Sequence, residues 1–93
     1  MSKVVGLAER LISHPPVKRY RIGEVASYSG LSRQTVHNYT VMGLIRESSW
    51  TEGGHRLYGE EVFGILSRVE MLKSSQTLRE IRLLLDSERS KSA

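Results

Sequence analysis

The side chains with the richest hydrogen-bonding chemistry lie in two short stretches of the chain. The first is a polar run that helical spacing places on one outer face: Arg33, Gln34, Thr35, His37 and Asn38. Arginine pairs with guanine, and glutamine or asparagine with adenine, at base edges in the major groove of DNA. The second stretch contains Arg56 and Tyr58, whose guanidinium and phenol groups suit phosphate oxygens.

Each stretch also has a simpler interpretation. Residues 33–38 can be the solvated face of an ordinary amphipathic helix, although the flanking pattern favours contact with bases. Arg56 and Tyr58 are two residues apart, so a strand would direct both side chains to one face. In the alternative, Tyr58 packs on the following helix and Arg56 is a surface charge. The sole tryptophan, Trp50, is expected to cap the apolar edge of the hairpin, with contact near a minor groove as the alternative.

The charge distribution favours a polyanionic partner. The 93 residues carry a formal charge of +4, and residues 18–58 hold six basic side chains against three acidic ones. Residues 59–93 are balanced, with six of each sign. A basic half attracts nucleic acid, whereas ordinary solubility chemistry explains the same charge without a partner. Lys18, Arg19 and Arg21 fit both interpretations, as an arm toward the phosphate backbone or as a solvated charge run.

Residue types and spacing argue against catalysis, cofactors and metal sites. The chain has no cysteine, and its three histidines, His14, His37 and His55, do not have the spacing of metal ligands. No paired carboxylates, catalytic triad or phosphate-cradling glycine loop is present, so we expect neither an enzyme nor a bound cofactor. The longest apolar run, Val4–Ala8, is too short to span a membrane. We therefore expect a small domain in a reducing cytoplasm.

Two predicted helices hold the polar run in place. Ile22, Val25 and Ala26 mark a short first helix, and a tight turn follows in which Gly30 takes a positive φ. Ser32 caps a second helix that runs to about Met42, with Gly43 at its end. Its inward side chains are predicted to be Leu31, Val36 and Tyr39. Two short helices joined by a glycine-containing turn are typical of a helix-turn-helix.

A hairpin and two supporting helices complete the predicted domain. Residues 44–46 are predicted to be a strand, 51–54 a turn and 56–58 the returning strand. A third helix carries an apolar stripe, and a Thr77–Glu80 capping box opens a fourth. The fold class is therefore mainly α, a winged helix-turn-helix over residues 20–86. Residues 1–19 are an extension with a short amphipathic helix at Val4–Ile12, and residues 87–93 are a flexible tail.

Several ordered motifs resemble the DNA-binding domain of the mercury-resistance regulator (MerR) family. They cover roughly residues 20–85 and are Tyr20-Arg21-Ile22-Gly23-Glu24-Val25-Ala26, Ser29-Gly30-Leu31-Ser32, Gly43-Leu44-Ile45, Arg56-Leu57-Tyr58 and Leu78-Arg79-Glu80-Ile81. The resemblance implies a second helix in the major groove, a wing on the phosphate backbone and promoters regulated by bending and untwisting of DNA. It adds Tyr39 and His55 to the expected DNA contacts, which also include Arg21 from the basic run.

The recognition helix departs from the family pattern. After Thr35 the family has an arginine and an aromatic residue, where this chain has His37 and Asn38. Histidine is shorter than arginine and mostly neutral near pH 7, so we expect DNA affinity to rise below about pH 6.5 through protonation of His37 or His55. His55 replaces a larger residue before the wing arginine and is expected to contact the backbone with less reach.

The segment after Leu85 is too short for the coiled coil through which the family dimerises. The chain is then either part of a longer regulator or a short member that associates otherwise, for which Val4–Ile12 is the candidate surface. The expected partners are double-stranded DNA and, at a promoter, RNA polymerase, in the bacterial cytoplasm at the nucleoid. Two alternatives remain: an excisionase-like factor that bends DNA, and a winged helix used as a protein-interaction module.

Overall fold

The computed structural model describes residues 17–92, and the predicted helix at Val4–Ile12 lies outside them. The described elements are β1 (Tyr20–Arg21), α1 (Ile22–Ser29), α2 (Arg33–Val41), β2 (Ser49–Trp50), β3 (Arg56–Tyr58), α3 (Glu61–Leu72) and α4 (Leu78–Ser92). The strands form one antiparallel sheet in the order β1-β3-β2. This mainly helical winged helix-turn-helix confirms the predicted fold class. None of the helices within residues 17–92 is long and apolar enough to cross a membrane.

Local turn and cap chemistry shapes the α1–α2 unit as predicted. Gly30 ends α1 with a φ of 76°, which residues with a Cβ rarely adopt. Its N–H donates to the Ala26 carbonyl. The Ser32 hydroxyl accepts a hydrogen bond from the Thr35 N–H at 3.0 Å. This bond satisfies one of the free donors at the start of α2 and fixes where the helix begins.

The segment after α2 differs from the prediction. Leu44 and Ile45 are fully buried and are not part of a strand. Their N–H groups both donate to the Tyr39 carbonyl, at 2.9 and 3.4 Å, so the chain turns back under α2. The predicted strand at residues 44–46 is therefore wrong, because these apolar side chains enter the core. The wing begins later, at β2.

One apolar core lies between the helices and the sheet. α3 contributes Val62, Leu66 and Val69, which belong to the stripe predicted from the sequence. α4 contributes Ile81 and Leu85, and the sheet contributes Tyr58. The core therefore supports α1 and α2 from one side and leaves the outer side of α2 uncovered.

The last helix extends further than the sequence suggested. Its first turn has the predicted capping box, since Thr77 N–H donates to Glu80 Oε1 at 2.9 Å and Glu80 N–H to Thr77 Oγ1 at 3.1 Å. Residues 87–92, predicted to be a flexible tail, are part of α4. Two side chains hold this end in place: Glu88 pairs with an arginine of α3, and Arg89 donates to main-chain carbonyls after α2.

Candidate nucleic-acid interface

The outer face of α2 carries the polar side chains predicted from the sequence. Val36 and Tyr39 turn inward and are 0% and 5% exposed. On the opposite side, the exposed residues are Arg33, Gln34, His37 and Asn38. Thr35 is half-buried, and its hydroxyl accepts a hydrogen bond from the capping Ser32 at 2.9 Å. The helix therefore presents a continuous polar surface to solvent.

Gln34 and Asn38 form a pair along this surface. The Gln34 side-chain amide donates to Asn38 Oδ1 at 2.9 Å, as residues four apart on a helix can do. This arrangement leaves the Asn38 amide nitrogen as a donor and the Gln34 amide oxygen as an acceptor. An adenine base presents an acceptor and a donor side by side in the major groove. The pair thus has hydrogen-bonding groups complementary to adenine.

A groove of about 600 Å³ separates α1 and the first turn of α2 from the wing. Its lining includes Arg21, Arg33, His55 and Arg56, which come from three different places in the chain. Among the lining residues, three guanidinium groups face only one carboxylate, that of Glu24. The fold therefore collects the predicted basic side chains around one positively charged concavity.

Gly23 makes room for one of these arginines. A Cβ at Gly23 would lie 2.7 Å from Arg33 Nη2, which is closer than nonbonded atoms approach. The absence of a side chain at Gly23 lets the Arg33 guanidinium lie over the start of α1. Sequence reasoning did not include Gly23 among the site residues. The available signal was a glycine in the first turn of a helix, where it lowers helix stability.

The wing holds Arg56 against a tryptophan. Trp50 and Arg56 are direct partners across β2 and β3, and Arg56 Cζ lies 4.8 Å from the indole ring centroid. Arg56 Nε is 3.7 Å from Glu47 Oε2, an ion pair without a hydrogen bond. Trp50 therefore supports a basic side chain, rather than only capping the apolar edge of the wing as expected. His55 is exposed beside the turn.

Two tyrosines predicted to contact DNA lie in the core instead. Tyr58 is 0% exposed, and its hydroxyl is 2.8 Å from Thr40 Oγ1. Tyr39 donates its hydroxyl to Glu70 Oε2 at 3.0 Å, and burial, together with the Glu70 carboxylate, raises the pKa of Tyr39. Alternation along β3 places Tyr58 on the face of Arg56, but that face passes from solvent into the core within the strand. The predicted exposed phenol at Tyr58 is therefore wrong.

The model of the MerR HTH family regulatory proteins matches residues 20–88. The chain belongs to the MerR family.

Curated MerR-type relatives and a solved structure agree with this assignment. The chain is 37% identical over 73 residues to the nodulation protein NolA of Bradyrhizobium sp. strain NC92, covering 77% of this chain and 31% of NolA. It is 37% identical to the mercuric resistance operon regulatory protein of Bacillus cereus, covering 72% of this chain and 52% of that protein. The N-terminal part of Mta, the Bacillus subtilis multidrug transporter activator, superimposes with a TM-score of 0.67 at 34% identity, covering 72% of this chain and 64% of that one.

The match to the MerR family concerns the winged domain. This chain spans about a third to a half of the length of these two curated relatives. The matched residues, 20–88, contain every described helix start and the whole wing. The groove and the outer face of α2 therefore lie within the part of the chain that the family shares.

Proposed function

We propose that this MerR-family chain binds double-stranded DNA in a sequence-specific manner and regulates transcription. The observation that carries the proposal is the uncovered polar face of α2 beside a groove lined by arginines. An α-helix fits the major groove, and a basic concavity next to it suits the phosphates on the groove's edge. The names of the curated relatives, which include an operon regulatory protein and transcriptional activators, support the same function.

Base recognition is assigned to the middle of the α2 face. The Gln34–Asn38 pair presents the donor and acceptor that adenine requires, and His37 lies on the same exposed side. Thr35 is half-buried and bonded to the helix cap, so we assign it contact through its methyl group. These contacts supply sequence preference.

Phosphate binding is assigned to the groove. Arg21, Arg33 and Arg56 line it together with His55 and the first turn of α1. A helix start carries free N–H groups and partial positive charge, both of which favour phosphate. Because Arg33 lies over Gly23 at this helix start, we assign it to the backbone more than to a base. These contacts are independent of sequence and weaken as salt screens them.

The regulatory setting follows from the relatives. They are bacterial regulators, so we infer action in the bacterial cytoplasm, on DNA of the nucleoid and with RNA polymerase at the promoter. One domain of this size makes few base contacts, and useful occupancy therefore requires a second copy. Two copies related by a two-fold axis would bind half-sites about one or two helical turns apart. Residues Val4–Ile12 remain our candidate for that association.

Two substitutions test the assigned roles in base recognition and phosphate binding. The intact chain first selects a tightly bound duplex from a random pool, and each variant is then measured on that duplex. Asn38→Ala is expected to relax preference at one or two base pairs by about 1–3 kcal/mol each. Arg56→Ala is expected to weaken binding to all sequences alike and to reduce the slope of log affinity against log salt by about one. Arg79→Ala is the matched control, because Arg79 is an exposed arginine that does not line the groove.

The proposal fails if base preference survives every substitution from residue 33 to 38. Absence of any DNA binding at about 50 mM salt, with a stable protein partner, would instead select the protein-interaction module. Fluorescence anisotropy on labelled duplexes measures the DNA binding in both cases.

A further inference from the structure

The wing contains a cross-strand pair that the DNA-binding proposal alone does not explain. Trp50 on β2 lies directly opposite Arg56 on β3, and adjacent antiparallel partners direct their side chains to the same face. The Arg56 guanidinium lies over the indole ring, 4.8 Å from its centroid. This distance is within the range in which a cation is attracted to the face of an aromatic ring. A surface arginine would otherwise sample many rotamers.

Besides the face that lies over the indole ring, one edge of the Arg56 guanidinium is also occupied. Glu47 Oε2 lies 3.7 Å from Arg56 Nε, and that nitrogen is buried without a hydrogen bond. Within residues 17–92 the two terminal nitrogens of Arg56 make no hydrogen bond either. Arg56 also lines the groove beside α1 and α2. Trp50 thus holds one face of the guanidinium and Glu47, just before β2, holds one edge, while the terminal donors remain available.

We propose that Trp50 is a positioning residue that holds the Arg56 guanidinium in the orientation in which it binds a DNA phosphate. The inference rests on the proposed function, because it takes the phosphate contact of Arg56 as given. Trp50 acts through Arg56 and does not itself contact DNA. The stack restricts the side chain before binding, so less rotamer freedom is lost when phosphate binds.

A tryptophan is well matched to this role. Indole attracts cations more strongly than the other aromatic side chains do. Trp50 is 52% exposed, so it remains at the surface where the wing meets a ligand. The cross-strand register fixes the ring under Arg56 through main-chain pairing rather than through a flexible loop. The same exposure makes direct stacking of Trp50 on DNA the rival explanation.

The first experiment examines the stack in the free protein. Trp50 is the sole tryptophan, so intrinsic fluorescence reports on its surroundings alone. Arg56→Gln is expected to shift the emission toward longer wavelength, because the ring gains contact with water. Arg46→Gln is the control, since Arg46 is an exposed arginine that pairs with Asp86 on α4 instead. An emission spectrum unchanged by Arg56→Gln would overturn the inference.

The second experiment is a double-mutant cycle measured by anisotropy on a mixed-sequence duplex of about three helical turns. Trp50→Leu is expected to weaken binding about threefold, and Trp50→Phe, which keeps a ring, less. Arg56→Ala is expected to weaken binding about tenfold. In the Arg56→Ala background, Trp50→Leu is expected to have no further effect on affinity.

The outcomes distinguish failure of the positioning role of Trp50 from failure of the proposed DNA contact of Arg56. A threefold effect of Trp50→Leu that persists without Arg56 would show that the indole contacts DNA itself, and would overturn the positioning role alone. An Arg56→Ala variant that binds as tightly as the unmodified chain would overturn both the wing contact and the inference. Circular dichroism of each variant confirms that the wing change has not unfolded the domain.

Discussion

Replacement of Tyr58 by phenylalanine is the most informative single change in the chain. Tyr58 is fully buried, and its hydroxyl lies 2.8 Å from Thr40 Oγ1. Thr40 donates its own hydroxyl proton to the Val36 carbonyl at 2.9 Å. The bond between the two side chains must therefore have Tyr58 as the donor. Phenylalanine keeps the ring in the core and removes only this donor.

The expected loss of stability follows from what each variant leaves unpaired. After Tyr58→Phe, Thr40 still has Val36 as a partner, so the cost is the net value of one hydrogen bond, about 1 kcal/mol. Thr40→Val removes the acceptor and leaves the buried Tyr58 hydroxyl without one, which costs about 1–3 kcal/mol. In the Tyr58→Phe background, Thr40→Val should cost less, because no hydroxyl is then stranded.

Urea unfolding and thermal unfolding, both followed by circular dichroism, measure these differences on the intact chain. A loss of 1 kcal/mol corresponds to a fall in Tm of about 4–8 °C for a domain of this size. DNA affinity, measured in parallel by anisotropy, should be unchanged by Tyr58→Phe. Unchanged stability combined with weaker DNA binding would refute the buried role and restore the phosphate contact predicted from the sequence.

Two further predictions concern backbone conformation and pH. Gly30→Ala should destabilise the domain by about 1 kcal/mol, because Gly30 has a φ of 76°, whereas Gly64→Ala, in the exposed middle of α3, should stabilise it by a similar amount. Opposite signs in thermal unfolding are the check. Hydrogen bonds from Lys73 and Tyr39 lower the pKa of Glu70, so its stabilising contribution is present above the ordinary carboxyl pKa and is lost as pH falls through the lower folded value. Glu70→Gln should therefore flatten the dependence of stability on pH between about 3 and 5, and an unchanged slope in urea titrations would contradict this.

Local chemistry is the part of this protein that sequence reasoning predicted well. The turn at Gly30, the cap at Ser32 and the capping box at Thr77 each depend on residues within four positions of one another. The apolar stripe of α3 and the polar outer face of α2 follow from helical periodicity in the same way. Such features survive in any fold that keeps the helices, so the residues themselves contain the information.

Burial by distant neighbours is the part that sequence reasoning missed. Leu44 and Ile45 are an apolar pair typical of a strand, yet they enter the core, where Arg89 of α4 donates to the Leu44 carbonyl. Residues 87–92 look like a polar tail, yet they continue α4, where Arg89 donates to carbonyls more than forty positions earlier. In each case the partner that stabilises the conformation is remote in the chain.

In the candidate site, too, some features follow from local sequence and others from tertiary packing. The sequence alone determined which side chains α2 offers to solvent, since the period of a helix separates Val36 and Tyr39 from Gln34 and Asn38. Only the tertiary structure decided that Arg33 lies over Gly23 and that Tyr58 is buried while Arg56 rests on Trp50. Helical periodicity is a property of consecutive residues. Whether a residue on one face of a strand is buried depends instead on the elements that pack against that face.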